Sequence, residues 1–387
     1  MRFTVRVALA WFCGVLVSSS SVSGQPAQWL LERTVTIGHA LDPEAGLTRV
    51  GSVIVDGDRL LVAQPLEQRV RVFSLSGDFL GFIGRRGEGP GEFQWVDGLG
   101  LHDGQIWIAD SFLRRIQFFA ADDRFASSEL FRGHPTLLGE ALTVGSVLVD
   151  GSILARYELP GPELAAFPNR PGYVLRFHRQ GLAHDTLSIL IGRGSAVQLS
   201  DGREGRWASY TSLPTSYRSI LAEVPDGSGF VVVHREAATS SDPHPYQVIR
   251  FDARGDTAWA HGFHYDPIPT TPAWRARHVE DHARETDVPG VPAQRVRQII
   301  EGAYRTITFL PPIDAAHASM DGSTWLLART GLASFEWRVL DDTGRLIASV
   351  APTPSGRIRW AGTNYVWFVE HDDFDIPFLV RYEIHRP

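Results

Sequence analysis

A repeat of 46 residues constrains the fold of this chain more than any other feature. Residues 60–79, LLVAQPLEQRVRVFSLSGDF, align without a gap with residues 106–125, IWIADSFLRRIQFFAADDRF. Ala63, Ala109 and Ala155 occupy the same place in three successive copies, each 46 residues after the last. A fixed period of this length is typical of stacked repeats and of propellers.

The rhythm of the repeat continues through the chain as a tight turn, an apolar strand and a second, alternating strand. The turn-and-strand segments are 56–63, 103–109, 150–155, 226–234, 321–328 and 361–370. Alternation with a period of two residues predicts that each unit is a small antiparallel meander. Because one meander cannot bury both of its faces, the six units are expected to pack in a ring. The sequence therefore predicts an all-β fold, a six-bladed β-propeller.

The two ends of the chain offer a way to close this ring. The last unit stops at Pro387 after its third strand, whereas residues 31–37, LERTVTI, form a strand that belongs to no other unit. We predict that this N-terminal strand completes the last blade.

The segment GEGPGEF…DG…IWIADSFLRRIQFF resembles an NHL-type repeat of the six-bladed propellers. The resemblance covers about residues 50–130, and beyond them only the rhythm of the blades is similar. The chain is also similar to bacterial, exported TolB-like propellers whose roles are mostly unassigned. The resemblance implies a fold and no particular function, because propellers carry unrelated activities.

The glycine-rich segment RRGEGPGEF, residues 85–93, has two interpretations: a phosphate-binding loop or a joint between blades. A phosphate loop leads into a helix and offers free N–H groups, whereas a strand follows here and Pro90 removes a donor. The joint is the favoured interpretation, and a ligand contact is the alternative.

The N-terminus is typical of an export signal. Arg2 and Arg6 precede an apolar run at residues 7–17, and small residues before Gln25 suit cleavage. We therefore expect residues 1–24 to be a signal peptide and residues 25–387 to form the propeller. The expected location is periplasmic or extracellular, with no membrane span after signal removal. A lipid anchor on Cys13 is the alternative.

Composition excludes several classes of function. The formal net charge is −7, so the chain lacks the excess of basic residues that is typical of a nucleic-acid-binding protein. The chain contains no lysine, and this excludes Schiff-base chemistry and a P-loop. Its single cysteine lies in the expected signal peptide, so a thiol nucleophile is also excluded from the mature chain.

Extra residues are expected on one face of the propeller. In a blade with strands A to D, the B–C and D–A connections share a face, and the insertions at 157–172, 192–213, 236–245 and 265–312 all fall in such connections. Long loops on a rigid scaffold are where function usually lies. Within the last insertion, about residues 271–304 are predicted to form two helices between blades 4 and 5, which could cover the channel as a lid or as a fixed cap.

The residues that end strand B are predicted to point toward this elaborated face. They are Gln64, Asp110, Arg156, Arg235, Arg329 and Glu370, with His234, Asp97 and Asp314 as neighbours. Arginines on three consecutive blades suit a carboxylate or phosphate ligand, because each offers a planar fork of donors. The alternative is a structural ring in which these arginines pair with the acidic residues.

No cofactor is expected, and two metal sites remain as alternatives. His278 and His282 share a helix face at a spacing that can hold zinc, although the His-Glu-x-x-His pattern is absent. Asp372, Asp373 and Asp375 could hold calcium.

The favoured function is a non-enzymatic binding scaffold for a small molecule, a polysaccharide or a protein, with an acidic ligand at the elaborated face. The absence of a recognisable catalytic constellation favours this hypothesis. A metal-dependent hydrolase or lactonase, or a lyase, with its site in the central channel is the alternative. Histidines that could serve a zinc lyase are His234, His261, His264 and His317.

Overall fold

A computed structural model describes most of the chain. The described residues are 26–38, 45–130, 142–158, 169–178, 184–192, 196–199, 209–213, 217–350 and 355–387. The signal peptide expected at residues 1–24 and much of the insertions at 157–172 and 192–213 lie outside them.

The first half of the described chain contains one N-terminal strand and three blades. The N-terminal strand is β1 (Ala27–Ile37). Blade 1 consists of β2 (Val53–Asp56), β3 (Arg59–Gln64), β4 (Arg69–Ser74) and β5 (Phe79–Ile83). The short strands β6 (Arg85–Arg86) and β7 (Glu92–Phe93) lead to blade 2, which consists of β8 (Val96–His102), β9 (Gln105–Asp110), β10 (Arg115–Phe119) and β11 (Phe125–Leu130). Blade 3 consists of β12 (Leu142–Val147), β13 (Ile153–Tyr157), β14 (Gly172–Phe177) and β15 (His184–Leu190).

The second half contains three more blades and the insertions between them. A hairpin, β16 (Ala196–Leu199) and β17 (Ser209–Ser212), precedes blade 4, which consists of β18 (Ile220–Glu223), β19 (Gly229–Arg235), β20 (His244–Asp252) and β21 (Thr257–Tyr265). The next insertion holds β22 (Ile268–Pro269), α1 (Pro272–Glu285), α2 (Ala293–Arg305) and β23 (Phe309–Leu310). Blade 5 consists of β24 (Ile313–Ala318), β25 (Thr324–Arg329), β26 (Phe335–Leu340) and β27 (Leu346–Val350), and blade 6 of β28 (Arg357–Ala361), β29 (Tyr365–His371) and β30 (Pro377–His385) together with β1.

The period-two pattern of each strand produces the ring. In β9, Ile106 and Ile108 pack against blade 1, whereas Trp107 and Ala109 pack against blade 3. Six clusters of buried apolar residues form in this way, one between each pair of adjacent blades, including one between blades 6 and 1. The ring is therefore closed, and the prediction of a six-bladed β-propeller is confirmed.

The N-terminal strand closes the ring as predicted, and it also does more. Residues 30–37 pair antiparallel with β30 as the outer strand of blade 6. Residues 27–29, which lie before the predicted strand, pair parallel with β27 of blade 5. Blades 5 and 6 are thus joined through β1 into one eight-stranded sheet.

The glycine-rich segment 85–93 has the contacts of a joint. The Glu92 carboxylate accepts hydrogen bonds from the backbone amides of Gly89, at 2.9 Å, and Glu88, at 3.1 Å. The Arg115 guanidinium, at a repeated position of blade 2, donates to the carbonyl oxygens of Glu88, Gly89 and Glu92. Amides that a phosphate would need are therefore already bonded within the chain.

Both predicted helices are present in the insertion between blades 4 and 5. The Thr271 side chain caps α1 by accepting a hydrogen bond from the Trp274 amide, and Pro272 occupies the first turn. Buried residues of the two helices form an apolar core with Leu199 and Leu213 of the preceding insertion. We call the face that carries these insertions the loop face, and the opposite one the turn face.

Candidate functional site

The innermost strand of four blades contains a β-bulge at an equivalent place. The bulged residues are Asp97, Gly145, Asp314 and Arg359, each of which has no partner in the register of its sheet. Bulges redirect side chains and are common beside functional sites. Asp97 accepts a hydrogen bond from the Ser111 amide at 2.7 Å, and burial raises the pKa of its carboxyl group. These bulges bring charged side chains to the wall of the central channel.

Three of the residues predicted at the ends of strand B serve local structure. Gln64 accepts hydrogen bonds from the backbone amide of Thr48, and Asp110 from two backbone amides of its own blade. Glu370 accepts a hydrogen bond from the Tyr382 hydroxyl at 2.6 Å. All three predicted residues are buried, so their polar groups are held in place by these bonds.

Arg235 is also buried and has internal partners. Its guanidinium donates to the carbonyl oxygens of Arg218 and Ile313, and burial lowers its pKa to about 10. The neighbouring His234 lies 2.8 Å from the Ser219 hydroxyl through Nδ1, and burial lowers the pKa of its imidazole. Arg235 thus joins blade 4 to blade 5 in this structure.

Arg329 shares a carboxylate with a second arginine. Its guanidinium lies 3.1 Å from Asp314, and the other oxygen of Asp314 accepts a hydrogen bond from Arg357. Burial lowers the pKa of Arg329, while Asp314 opposes this shift. The Arg329 guanidinium also lies 4.4 Å from the ring centre of Phe335. Two arginines therefore share one acidic partner on the loop side of blades 5 and 6.

Arg156 lies in a different environment from the other two predicted arginines. Its charge acts on Glu223 of the neighbouring blade, whose pKa is raised by burial and lowered by the attraction of Arg156. The same carboxylate lies against Gly145, where a Cβ atom would come within 2.6 Å of it. Within the described ranges, no hydrogen bond or close ion pair holds the Arg156 guanidinium. In the part of the chain that is described, Arg235 and Arg329 act on each other, whereas Arg156 acts on Glu223.

The structure also brings together arginines that the sequence analysis missed. Burial lowers the pKa of Arg359, and repulsion from Arg357 and Arg49 adds to this shift. Arg359 is exposed to solvent yet crowded by protein, as expected for a side chain in a channel. The available signal was spacing, since Arg359 follows the bulged Asp314 by 45 residues.

Arg359 stands out because no described residue balances its charge. Among the residues that the structure describes, its guanidinium has no hydrogen-bond or ion-pair partner. Arg49 lies on the loop face with its guanidinium 5.7 Å from the ring centre of Trp95. Asp314 thus pairs with Arg329 and Arg357 and attracts Arg235, while Arg357 and Arg49 both repel Arg359.

At the turn face, a turn of blade 4 reaches across the ring. The carbonyl oxygen of Pro225 accepts a hydrogen bond from the Leu101 amide of blade 2 at 3.1 Å. These two blades are not neighbours, so the turn must pass in front of blade 3. The contact narrows the turn-side end of the channel, and a ligand is therefore expected to enter from the loop face.

His317, in the innermost strand of blade 5, predicts a pH dependence of stability. Burial lowers the pKa of His317 to about 4, while the charge of Asp321 opposes this shift and the charge of Arg359 adds to it. The Nε2 atom is buried and has no hydrogen-bond partner among the described residues. Because the unfolded chain binds this proton near pH 6.5, the stabilising contribution of neutral His317 is complete above pH 6.5 and is lost as the pH falls toward 4.

When the pH falls from 7 to 4.5, we expect the free energy of unfolding to fall by about 1–2 kcal/mol less in His317→Gln than in the unsubstituted protein. Urea unfolding followed by tryptophan fluorescence at several pH values measures this difference. His371→Gln, at an exposed position, is the matched control. Parallel pH profiles for His317→Gln and the unsubstituted protein would contradict the prediction.

The first of the two alternative metal sites is the histidine pair of α1, His278 and His282. His278 Nδ1 lies 2.8 Å from the Trp274 carbonyl oxygen, and its ring stacks on that of Trp274 at 3.9 Å. His282 packs edge-on against Tyr304, whose hydroxyl lies 3.4 Å from its Nδ1. The i,i+4 histidines thus contribute to the packing of the helical hairpin.

The acidic loop of blade 6 is shaped by its own aspartate. Asp372 accepts hydrogen bonds from the backbone amides of Phe374 and Ile376, which forms the turn. Across the described ranges, no group of three or more His, Cys, Asp or Glu side chains is arranged to hold a metal ion.

A family model described as a 6-bladed beta-propeller, DUF5128, matches residues 44–130. These residues include the segment that carries the clearest copies of the repeat. No curated protein matches this chain. In the part of the chain that the structure describes, no helix is both long enough and apolar enough to cross a membrane.

Several solved structures are similar to this chain over most of their length. An exported protein from Bacteroides fragilis is 12% identical with a TM-score of 0.45, covering 92% of this chain and 95% of its own. A member of the DUF4221 family from Bacteroides vulgatus is 8% identical with a TM-score of 0.42, covering 94% and 100%. Regucalcin from Agrobacterium tumefaciens, a calcium-binding protein, is 12% identical with a TM-score of 0.41, covering 93% and 97%. Structural similarity at these TM-scores supports no conclusion about function. The closed ring of blades by itself identifies the chain as a six-bladed β-propeller.

Proposed function

We propose that this chain is an exported binding protein and that its ligand, which carries an anionic group, binds at the loop-face mouth of the central channel. The observation that carries the proposal is the unbalanced charge of Arg359 beside Arg357 and Arg49. Like charges that lie close together repel each other and cost stability, and proteins commonly retain such costs where function requires them.

The arrangement suits an anion better than a neutral ligand. Each guanidinium offers a planar fork that matches the oxygens of a carboxylate, sulfate or phosphate. Among the described residues Arg359 has no hydrogen-bond partner, and Arg357 shares Asp314 with Arg329. A bound anion would therefore remove the repulsion among these groups and also take up donors that have no partner.

The three arginines predicted from the repeat take secondary places in this proposal. Arg156 adjoins the channel through Glu223 and contributes charge from blade 3. Arg235 and Arg329 support the mouth through their bonds to Ile313 and Asp314. We place the first contact with the ligand at Arg359, and we expect these three residues to tune its affinity.

Anion binding is tested with D-glucuronate and inorganic sulfate. D-Glucose serves as the neutral counterpart of glucuronate. We expect the anions to raise the unfolding temperature in a concentration-dependent manner, since a ligand at 100 times its Kd stabilises by about 2.7 kcal/mol. Glucose should give no increase. Isothermal titration calorimetry with the same compounds measures the affinity directly.

Arg359→Gln is the decisive variant. We expect at least tenfold weaker binding of the anions, and an unfolding temperature without ligand that is no lower than that of the unsubstituted protein. Arg124→Gln, in an exposed turn on the opposite face, is the matched control and should change neither quantity. Unchanged anion binding in Arg359→Gln, or a loss of stability without ligand, would overturn the proposal.

A further inference from the structure

A cavity of about 350 Å³ lies on the turn face, where blades 5 and 6 meet the N-terminal strand. It is distinct from the channel mouth, because its walls come from turns at the opposite end of the blades. The lining residues include Trp29, Trp325, Asp321, Asp341, Asp342 and Arg386. Its volume is at the lower end of the range for small-molecule sites, which suits a small ligand or one side chain.

Trp29 gives the cavity an aromatic wall, and Trp325, only 1% exposed, packs behind it. Trp29 belongs to β1 and Trp325 to β25, and their rings meet edge to face with centroids 6.0 Å apart. The Trp325 indole nitrogen donates to the Ser323 hydroxyl at 3.2 Å, which fixes the orientation of its ring. Tryptophan faces attract cations through the quadrupole of the ring, more strongly than those of other aromatic side chains.

The carboxylates of the cavity outnumber its cations by three to one. Asp321 and Asp341 each use one oxygen to cap their own turns, where they accept hydrogen bonds from Ser323 and from Thr343. Asp342 accepts no hydrogen bond and makes no close ion pair among the described residues, although it and Asp321 attract the nearby Arg250. The cavity therefore combines an aromatic wall with excess negative charge.

One cation already lies in this cavity. The Arg386 guanidinium is 4.6 Å from the ring centre of Trp29, and it donates a hydrogen bond to the carbonyl oxygen of Thr363. This side chain follows the last strand and is exposed, so it can leave without disturbing a core. Its position shows that the Trp29 ring accepts a cationic group.

We propose that this cavity is a binding site for a small organic cation, a quaternary ammonium or guanidinium group, which takes the place of Arg386 on Trp29. The ligand would lie against the aromatic wall with its charge facing Asp342. Because Trp29 belongs to the strand that closes the ring, binding stabilises the junction of blades 5 and 6. The inference is independent of the anion site.

The experiment compares choline with 3,3-dimethylbutan-1-ol, a neutral molecule of nearly the same shape. Isothermal titration calorimetry and tryptophan fluorescence of the full chain measure binding. We expect choline to bind and the alcohol to bind at least tenfold more weakly. The choline affinity should fall as sodium chloride is raised, because the carboxylates are exposed and screened by salt.

Three variants test the roles of individual residues. Asp342→Asn should weaken choline binding about fivefold or more, since it removes a carboxylate that accepts no hydrogen bond among the described residues and leaves Arg250 bonded to the Gly322 carbonyl oxygen. Arg386→Gln should strengthen it, because the resident cation no longer competes. Asp103→Asn, an exposed aspartate in a turn of blade 2 on the same face, is the control and should leave binding unchanged.

Equal binding of choline and the alcohol, or unchanged choline binding in Asp342→Asn, would overturn the proposal. Weaker binding in Arg386→Gln would show that Arg386 does not compete with the ligand and would overturn that part of it. The response to glucuronate is measured in the same variants, and it should be unaltered, so failure at one site is separable from failure at the other.

Discussion

Replacement of Ile37 by aspartate is expected to destabilise the propeller by about 5 kcal/mol, which would unfold a domain of ordinary stability. Ile37 is 2% exposed and packs in the core between blades 6 and 1. It pairs with Leu379 at the end of the closing strand. The substitution loses the apolar contacts of the isoleucine and leaves an unpaired charge in their place.

Urea unfolding of the full chain, followed by circular dichroism and tryptophan fluorescence, measures this loss. Leu30→Asp is the matched control, because Leu30 lies in the same strand and is 58% exposed. We expect it to cost less than about 1 kcal/mol. Equal unfolding midpoints for the two variants would show that β1 does not close the ring in solution.

The second large effect is expected at Gly100. An added Cβ atom would lie 2.4 Å from the Pro225 carbonyl oxygen and 2.6 Å from the Trp107 ring. Neither neighbour is a flexible chain end, since one is backbone and the other a fully buried indole. Alanine must therefore separate the blade-4 turn from blade 2 and break the bond from the Leu101 amide.

We expect Gly100→Ala to lower the free energy of unfolding by about 3 kcal/mol, which combines overpacking with the lost hydrogen bond. Gly262→Ala is the matched control: this strand glycine has nothing within 4 Å of the added Cβ and no unusual backbone angle. It should be neutral or slightly stabilising, because alanine restricts the unfolded chain. Similar stability of the two variants would contradict the contact across the ring.

Much of the architecture was accessible from the sequence, since blades are local structures. Turns such as 56–59 and 103–105 and the strands beside them lie within one repeat, so their pattern needs no knowledge of distant residues. The spare strand at 31–37 was recognisable for the same reason. Its extension over 27–29 was not, because those three residues pair with β27 of blade 5, more than 300 residues away.

The partners of the site residues do not follow from the repeat. Arg156, Arg235 and Arg329 hold equivalent places in the repeat, yet Arg156 acts on Glu223, whereas Arg235 and Arg329 act on each other and on Asp314. The position within a blade follows from the repeat, whereas the partner depends on which residue the next blade presents. Arg359 could not be singled out from the sequence, because its importance depends on the lack of a charge partner among the described residues around it.

The sequence alone determined the number of blades, the side on which the chain is elaborated and the strand that seals the ring, because these follow from local periodicity and from where extra residues fall. Only the tertiary structure decided which charges are neutralised, how the turn-side end of the channel is narrowed and that Trp29, Asp342 and Arg386 share a cavity. Those properties depend on distances between residues that are remote in sequence, and no repeat pattern encodes them.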